Sequence, residues 1–280
     1  MMNLGIRAHD LNSKSLEGLA KEAAANGFSA IQLALAKSFP DLNLQRGSLS
    51  TGLGAHISSA FYQSGVQIAV LGCYINMIHP IHEIRQQELE RFKEHLRYAR
   101  DFGCSIVGTE TGNVNEVIEY TEDNFTEEAF QKVALSVKEL VAEAEKFGVI
   151  VGIEGGINHP IHTPERMRRL LDIIYSNNLQ VIYDPVNFIT LDNCNNQEKL
   201  FQEAIELFGE RIAIVHLKDF MIEDGKINTV PVGKGILNYE KLFTMLKKSK
   251  PYMFYLMEST ADPHIEESAK FIRNVYNSIN

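Results

Sequence analysis

The chain has no tryptophan and only three cysteines in 280 residues, Cys73, Cys104 and Cys194. They lie far apart with no C-x-x-C spacing, which argues against a disulfide framework and a thiolate zinc site and suits a reducing cytoplasm. Long apolar runs are missing as well. No stretch nears the roughly 20 residues needed to cross a bilayer, and the opening MMNLGIRAHDLNSK lacks the basic region and apolar core of a secretory leader. The expectation is a soluble, unprocessed, cytoplasmic protein. Basic charge is scarce too: 27 Lys and Arg stand against 36 Asp and Glu, a formal charge of −9. That balance repels phosphate backbones, so neither nucleic acid nor a membrane is an expected partner. No Pro/Ser-rich linker divides the chain, and its Pro and Gly residues gather at turns between periodic segments. One domain over residues 1–280 is therefore expected, a length that an α/β barrel of about 250 residues can fill.

What is present is a rhythm. Eight short apolar runs alternate with helical patterns: LGIRAH (4–9), AIQLAL (30–35), QIAVLGCYI (67–75), SIVGTE (105–110), VIVGIE (149–154), LQVIYD (179–184), IAIVHL (212–217) and MFYLME (253–258). Runs that are nearly continuous in apolar residues suit strands buried on both faces of a parallel sheet. Between them, apolar stripes such as Phe130, Val133, Ala134, Val137, Leu140, Val141 and Ala144 repeat with the helical period. Thr126 is placed as the N-cap of that helix, with Glu127 and Glu128 in its first turn and Gly148 past its end, and Pro164 after Thr163 opens another. Eight such units predict a (β/α)8 TIM barrel. The weakest helix is the second, near SSAFYQSG (58–65), because its Gly-rich approach GLGAHIS (52–58) reads equally well as loop.

Chemistry in such a barrel sits at the carboxyl ends of the strands. The last four runs close with Glu154, Asp184, His216 and Glu258, about one strand–helix unit apart. Alternation puts Ile150, Gly152 and Glu154 on one face, likewise Ile182 with Asp184, Ile212 and Ile214 with His216, and Phe254 and Leu256 with Glu258. If those faces point inward, three carboxylates and an imidazole converge, and a divalent metal ion neutralises what would otherwise be mutual repulsion. The donor set suits Mn²⁺, Mg²⁺, Co²⁺ or Zn²⁺ and leaves positions for two substrate oxygens. The competing reading is four unrelated polar strand ends making caps and ion pairs.

These residues resemble the xylose isomerase-like barrels, which comprise sugar phosphate isomerases/epimerases, ketose 3-epimerases, inosose dehydratases and AP endonuclease family 2. The likeness is carried by VGIEGG with Glu154, VIYDPVN with Asp184, VHLKD with His216, PVGKG (231–235) and YLMES with Glu258. It implies one divalent metal, Mn²⁺ by preference, held by those four residues, with Glu154 and Glu258 also moving protons at a small polyhydroxylated sugar or sugar phosphate. Proton abstraction beside a carbonyl through a metal-stabilised enediolate needs a base, an acid and charge stabilisation, which this set supplies without a nucleophile. The expected activity is a metal-dependent isomerase or epimerase. An inosose dehydratase-type lyase with the same site is the alternative. A DNA-repair nuclease is disfavoured, because such relatives carry a histidine where this chain has Asn187 and an Asp-x-His where it has Ile227, Asn228 and Thr229. The ketose 3-epimerases also carry a histidine at Asn187, and an arginine where Phe220, Met221 and Ile222 stand.

Further substrate-binding candidates are Glu110 at the end of the fourth run, His79 after the third, His159 after the fifth, Asn187, and Lys218 two residues beyond His216. Each has a plainer reading: Glu110 paired with a lysine, the histidines as core residues, Lys218 tied to Asp219. Gly233-Lys234-Gly235 lacks the length and trailing Ser/Thr of a P-loop and reads as a turn before a helix starting near Asn238. The stretch 83–101 reads as a solvated helix with i,i+4 charge pairs, and the cysteines as small buried hydrophobes. A homo-oligomer is an open expectation.

Overall fold

The computed structural model describes residues 2–279. In it the eight apolar runs become eight parallel strands: β1 (Asn3–Arg7), β2 (Ala30–Leu33), β3 (Gln67–Gly72), β4 (Ile106–Glu110), β5 (Ile150–Glu154), β6 (Leu179–Tyr183), β7 (Ile212–Leu217) and β10 (Phe254–Met257). Each pairs with the next, and β10 pairs with both β7 and β1, closing the barrel. Between β7 and β10 stands an antiparallel hairpin, β8 (Asp219–Glu223) and β9 (Lys226–Val230). The helices are α1 (Leu16–Ala25), a short α2 (Leu35–Ser38), α3 (Thr51–Gln63), α4 (His82–Tyr98), α5 (Glu127–Phe147), α6 (Pro164–Ile173), α7 (Gln197–Phe208), α8 (Tyr239–Lys247) and α9 (Ile265–Ser278).

Local chemistry sets the helix ends. Thr126 accepts a hydrogen bond from the Ala129 amide to start α5, and Gly148, at φ 60°, ends it. Thr163 caps α6 ahead of Pro164, and Asn238 caps α8. GLGAHIS turns out to be helical throughout: Ser50 caps α3, and Gly54, Ile57 and Phe61, at i, i+3 and i+7, bury one face. In α4 the charged face carries i,i+3 pairs, Glu88 with Arg91 and Glu90 with Lys93, while Leu89, Phe92 and Leu96 are buried. All three cysteines are buried, and burial pushes the Cys73 thiol up to about 12 and the Cys104 thiol to about 11, so both stay protonated and inert.

Two cores result. The larger lies between strands and helices; the smaller fills the barrel with Ala30, Val70, Ile106, Ile182, Ile214 and Leu256. Gly108 and Gly152 make room for it, since a Cβ at Gly108 would stand 2.7 Å from Ile182 Cδ1 and 2.8 Å from Val70 Cγ1. Strict alternation fails between β2 and β3, where the consecutive Ala69 and Val70 both join the inner core, and again between β6 and β7. Val181 pairs with Ile212 and Ile182 with Ile214, a register shift that turns Ile212 outward into the larger core while Ile214 faces in.

Candidate metal centre at the barrel mouth

Each of the four ligand-type side chains sits where its strand runs out, two residues beyond an inward position. Asp184, His216 and Glu258 follow Ile182, Ile214 and Leu256 of the inner core, and Glu154 follows Gly152. One ligand atom from each of the four lies within 4.8 Å of all the others, and the residues are 0–7% exposed. The sequence expectation of convergence is met.

The imidazole is oriented from the opposite wall. Its Nε2 lies 2.7 Å from Oε1 of Gln32, an oxygen that can only accept, so Nε2 carries the proton and Nδ1 faces the carboxylates. Gln32 in turn donates to the Tyr74 hydroxyl. Nδ1 stands 3.2 Å from Glu154 Oε1 and 3.0 Å from Glu258 Oε2. Three buried atoms, Asp184 Oδ2, His216 Nδ1 and Glu258 Oε2, make no properly aligned hydrogen bond among the described residues. Buried polar atoms left so are rare, and three from one cluster of ligand types fit a bound cation. The donors, three carboxylates and one nitrogen, suit a divalent ion of the Mn²⁺, Mg²⁺ or Zn²⁺ kind.

Charge in the cluster is balanced by its own cations. Burial alone would lower the His216 pKa, but Glu154 and Glu258 outweigh it and raise it to about 10. Burial raises Asp184 to about 6, with Lys218 opposing and Glu258 and Glu154 reinforcing. Glu258 goes the other way: burial is overcome by Lys218, His216 and Arg7, which hold it well below the usual carboxylate range. Lys218 Nζ is 3.0 Å from Asp184 Oδ2, 2.9 Å from Glu258 Oε1 and 2.9 Å from Asn187 Oδ1. Asn187 also donates to Glu154 Oε1 at 2.7 Å. Arg7 Nη1 reaches Glu258 Oε1 at 2.6 Å, and its Nε and Nη2 clasp Asp10, each at 2.9 Å. Asp10 Oδ2 accepts from the Ser259 amide at 3.1 Å, steadying a non-glycine residue at φ 54° beside Glu258.

Above the cluster lies a cavity of about 330 Å³ whose wall includes Glu110, His159, Asn187, Lys218, Thr229 and Glu258. A larger cavity of about 440 Å³, lined by Arg46, Glu94 and His95 among others, contains none of the four ligand-type residues and lies away from the strand ends. Chemistry points to the smaller one. His159 Nδ1 donates to the Gly112 carbonyl at 2.8 Å. His79 is not among the residues lining the site cavity: its Nδ1 accepts from the Ile81 amide in the loop before α4. Lys218 is not tied to Asp219. Asp219 instead accepts from the amides of Phe220, Gly233, Gly235 and Leu237, at 2.9 to 3.0 Å, and shapes the glycine turn itself. The residues that sequence reasoning passed over are Arg7, Gln32 and Tyr74, together with the hairpin, whose Thr229 lines the cavity. The hairpin had a signal. Asp224 and Gly225 both have positive φ, as a two-residue Asp-Gly turn between alternating residues requires.

Residues 20–275 match the family described as Xylose isomerase-like TIM barrel. The chain belongs to that family. Relatives of this xylose isomerase-like barrel are distant. An inosose dehydratase of Bacillus thuringiensis is 22% identical over 200 residues, 64% of this chain, and the chain spans 65% of that protein's length. L-Ribulose-5-phosphate 3-epimerase UlaE of Escherichia coli is 25% identical over 253 residues, covering 87% of this chain and 83% of the epimerase. Among solved structures, the IOLI protein described with a binding zinc atom superimposes with a TM-score of 0.74 at 16% identity, over 100% of this chain and 99% of its own. The fold and the family are thereby shown, and the two sequence relatives are by name a dehydratase of an inosose and an epimerase of L-ribulose 5-phosphate. Among the described residues no helix is long and apolar enough to cross a membrane.

Proposed function

We propose that Glu154, Asp184, His216 and Glu258 hold one divalent metal ion, Mn²⁺ ahead of Zn²⁺, Mg²⁺ and Co²⁺. We further propose that the chain isomerises or epimerises a small polyhydroxylated carbonyl compound, a sugar or sugar phosphate, by moving a proton beside the carbonyl. The observation that carries this reading is the quartet itself, with three buried atoms that lack hydrogen bonds. When bound, the ion supplies Lewis-acid stabilisation of negative charge on substrate oxygens, worth several kcal/mol. Glu154 takes or returns the proton: its Oε1 accepts from the neutral Asn187 amide, which orients it without a positive charge. Glu258 lines the cavity as the second carboxylate. Lys218 and Asn187 fix the spacing of both, and Glu110 and His159 bind substrate from the facing wall.

One observation favours the dehydratase-type lyase as the second reading. Glu258 Oε1 already accepts from two cations, Arg7 and Lys218, so the two glutamates are unequal. A lyase needs one base, plus an acid for the departing hydroxyl, and the Lys218 ammonium lies in the same cavity wall. A nuclease stays behind both, since Asn187 is committed to Glu154 and Lys218.

The test is metal-stripped protein reloaded with each ion and offered a panel of ketoses, inososes and their phosphates. Metal-dependent formation of a product of unchanged mass supports the isomerase, and loss of water the lyase. Equal turnover with and without metal overturns both.

A further inference from the structure

The cavity above the quartet is rich in acceptors, and among the described residues its lysine and the neighbouring Arg7 are already paired with carboxylates. Glu110 ends β4 beside Glu154 in the same register row, and it pairs with no lysine or arginine among the described residues. His159 spends its Nδ1 hydrogen bond on the Gly112 carbonyl, which leaves Nε2 as the ring atom open to a substrate hydroxyl. Lys218 stands between the Asp184 and Glu258 carboxylates and donates to Asn187, so its charge is already met. Arg7 is committed to Asp10 and Glu258. Barrels of this class often bind a phosphate in the loops after their last strands. Here the glycine turn that offers amides in that region, Gly233 to Leu237, is filled by the chain's own Asp219 carboxylate.

We infer that this cavity selects an uncharged polyhydroxylated carbonyl compound, whose hydroxyls donate to Glu110 and His159, and rejects the phosphorylated form of the same compound. The inference rests on the proposed reading of the site and narrows its substrate class. Hydroxyl groups bring the donors that these acceptors lack. A phosphate dianion brings only acceptors and charge of the same sign as Glu110, and the lysine of this wall is already held by two carboxylates.

The test uses the Mn²⁺-loaded full chain, with free ketoses and inososes set against their monophosphates. Both kcat/KM and equilibrium binding are measured. Free compounds should be preferred by at least about tenfold. Glu110→Gln should raise KM for them with a smaller change in kcat and shrink the preference over the phosphates. Tighter binding or faster turnover of the phosphates overturns the inference, as does binding of neither class, or a Glu110→Gln variant with unchanged KM and preference. Because binding is read without turnover, a failure of this inference is distinct from a failure of the proton-transfer reading, which Glu154→Gln tests alone.

Discussion

The two sides of the barrel wall carry different kinds of residue. The wall from β5 to β10 delivers Glu154, Asp184, His216 and Glu258, which meet one another. The wall from β1 to β4 delivers Arg7, Gln32, Tyr74 and Glu110: the first two touch members of the quartet, and Tyr74 supports Gln32. The second half thus supplies the ligand-type side chains and the first half residues that orient them, a division in which the supporting residues matter through partners far away in the chain. Hydrogen bonds between Arg7 and Glu258, or Gln32 and His216, span 251 and 184 residues.

The sharpest break of this comparison is at the ligands. Glu154→Gln and Glu258→Gln should each cut kcat by about 10²–10⁴-fold with the circular dichroism spectrum unchanged. Wild-type-like turnover in either would remove its acid/base role. On the supporting side, Gln32→Leu should weaken metal binding by about 10–100-fold in calorimetry, because the imidazole loses the acceptor that fixes its tautomer. Unchanged affinity would mean that the first half is scaffold alone.

A third measurement addresses charge. Without metal, His216 is raised to about 10, so at neutral pH it carries a second proton that metal binding must displace. Metal affinity should therefore climb by up to about tenfold per pH unit between about pH 7 and 8, with proton release detectable as a dependence on buffer ionisation enthalpy. In the metal-free chain the sign is opposite for stability. The raised imidazole contributes fully below its ordinary pKa of 6.5, and that contribution is lost as pH rises through about 10. The smallest effect lies beneath the site: Gly108→Ala overpacks the inner core against Ile182 and Val70 and should cost about 1–3 kcal/mol in denaturant unfolding, with metal affinity preserved.

How far the sequence could be read differs by residue. The β5 to β10 quartet was legible because Glu, Asp and His at the ends of apolar runs are chemically unusual there, and a two-residue alternation is enough to aim them. Gln32 and Arg7 obey the same alternation, but glutamine and arginine at a strand end have many ordinary uses, and only the closed barrel brings them to His216 and Glu258. The β8–β9 hairpin was legible in Asp224-Gly225 and was passed over because the eightfold rhythm left no place for it.

Composition, helix caps and eight apolar runs fixed the architecture by local rules: period, capping and turn chemistry act within a few residues. Tertiary structure alone decided that Ile212 turns out while Ile214 turns in, and that Lys218 joins the carboxylates while Asp219 fills the glycine turn. It also decided that His79 lies outside the site cavity. Those outcomes depend on register across neighbouring strands and on which charges burial brings together, and neither is written in any single segment.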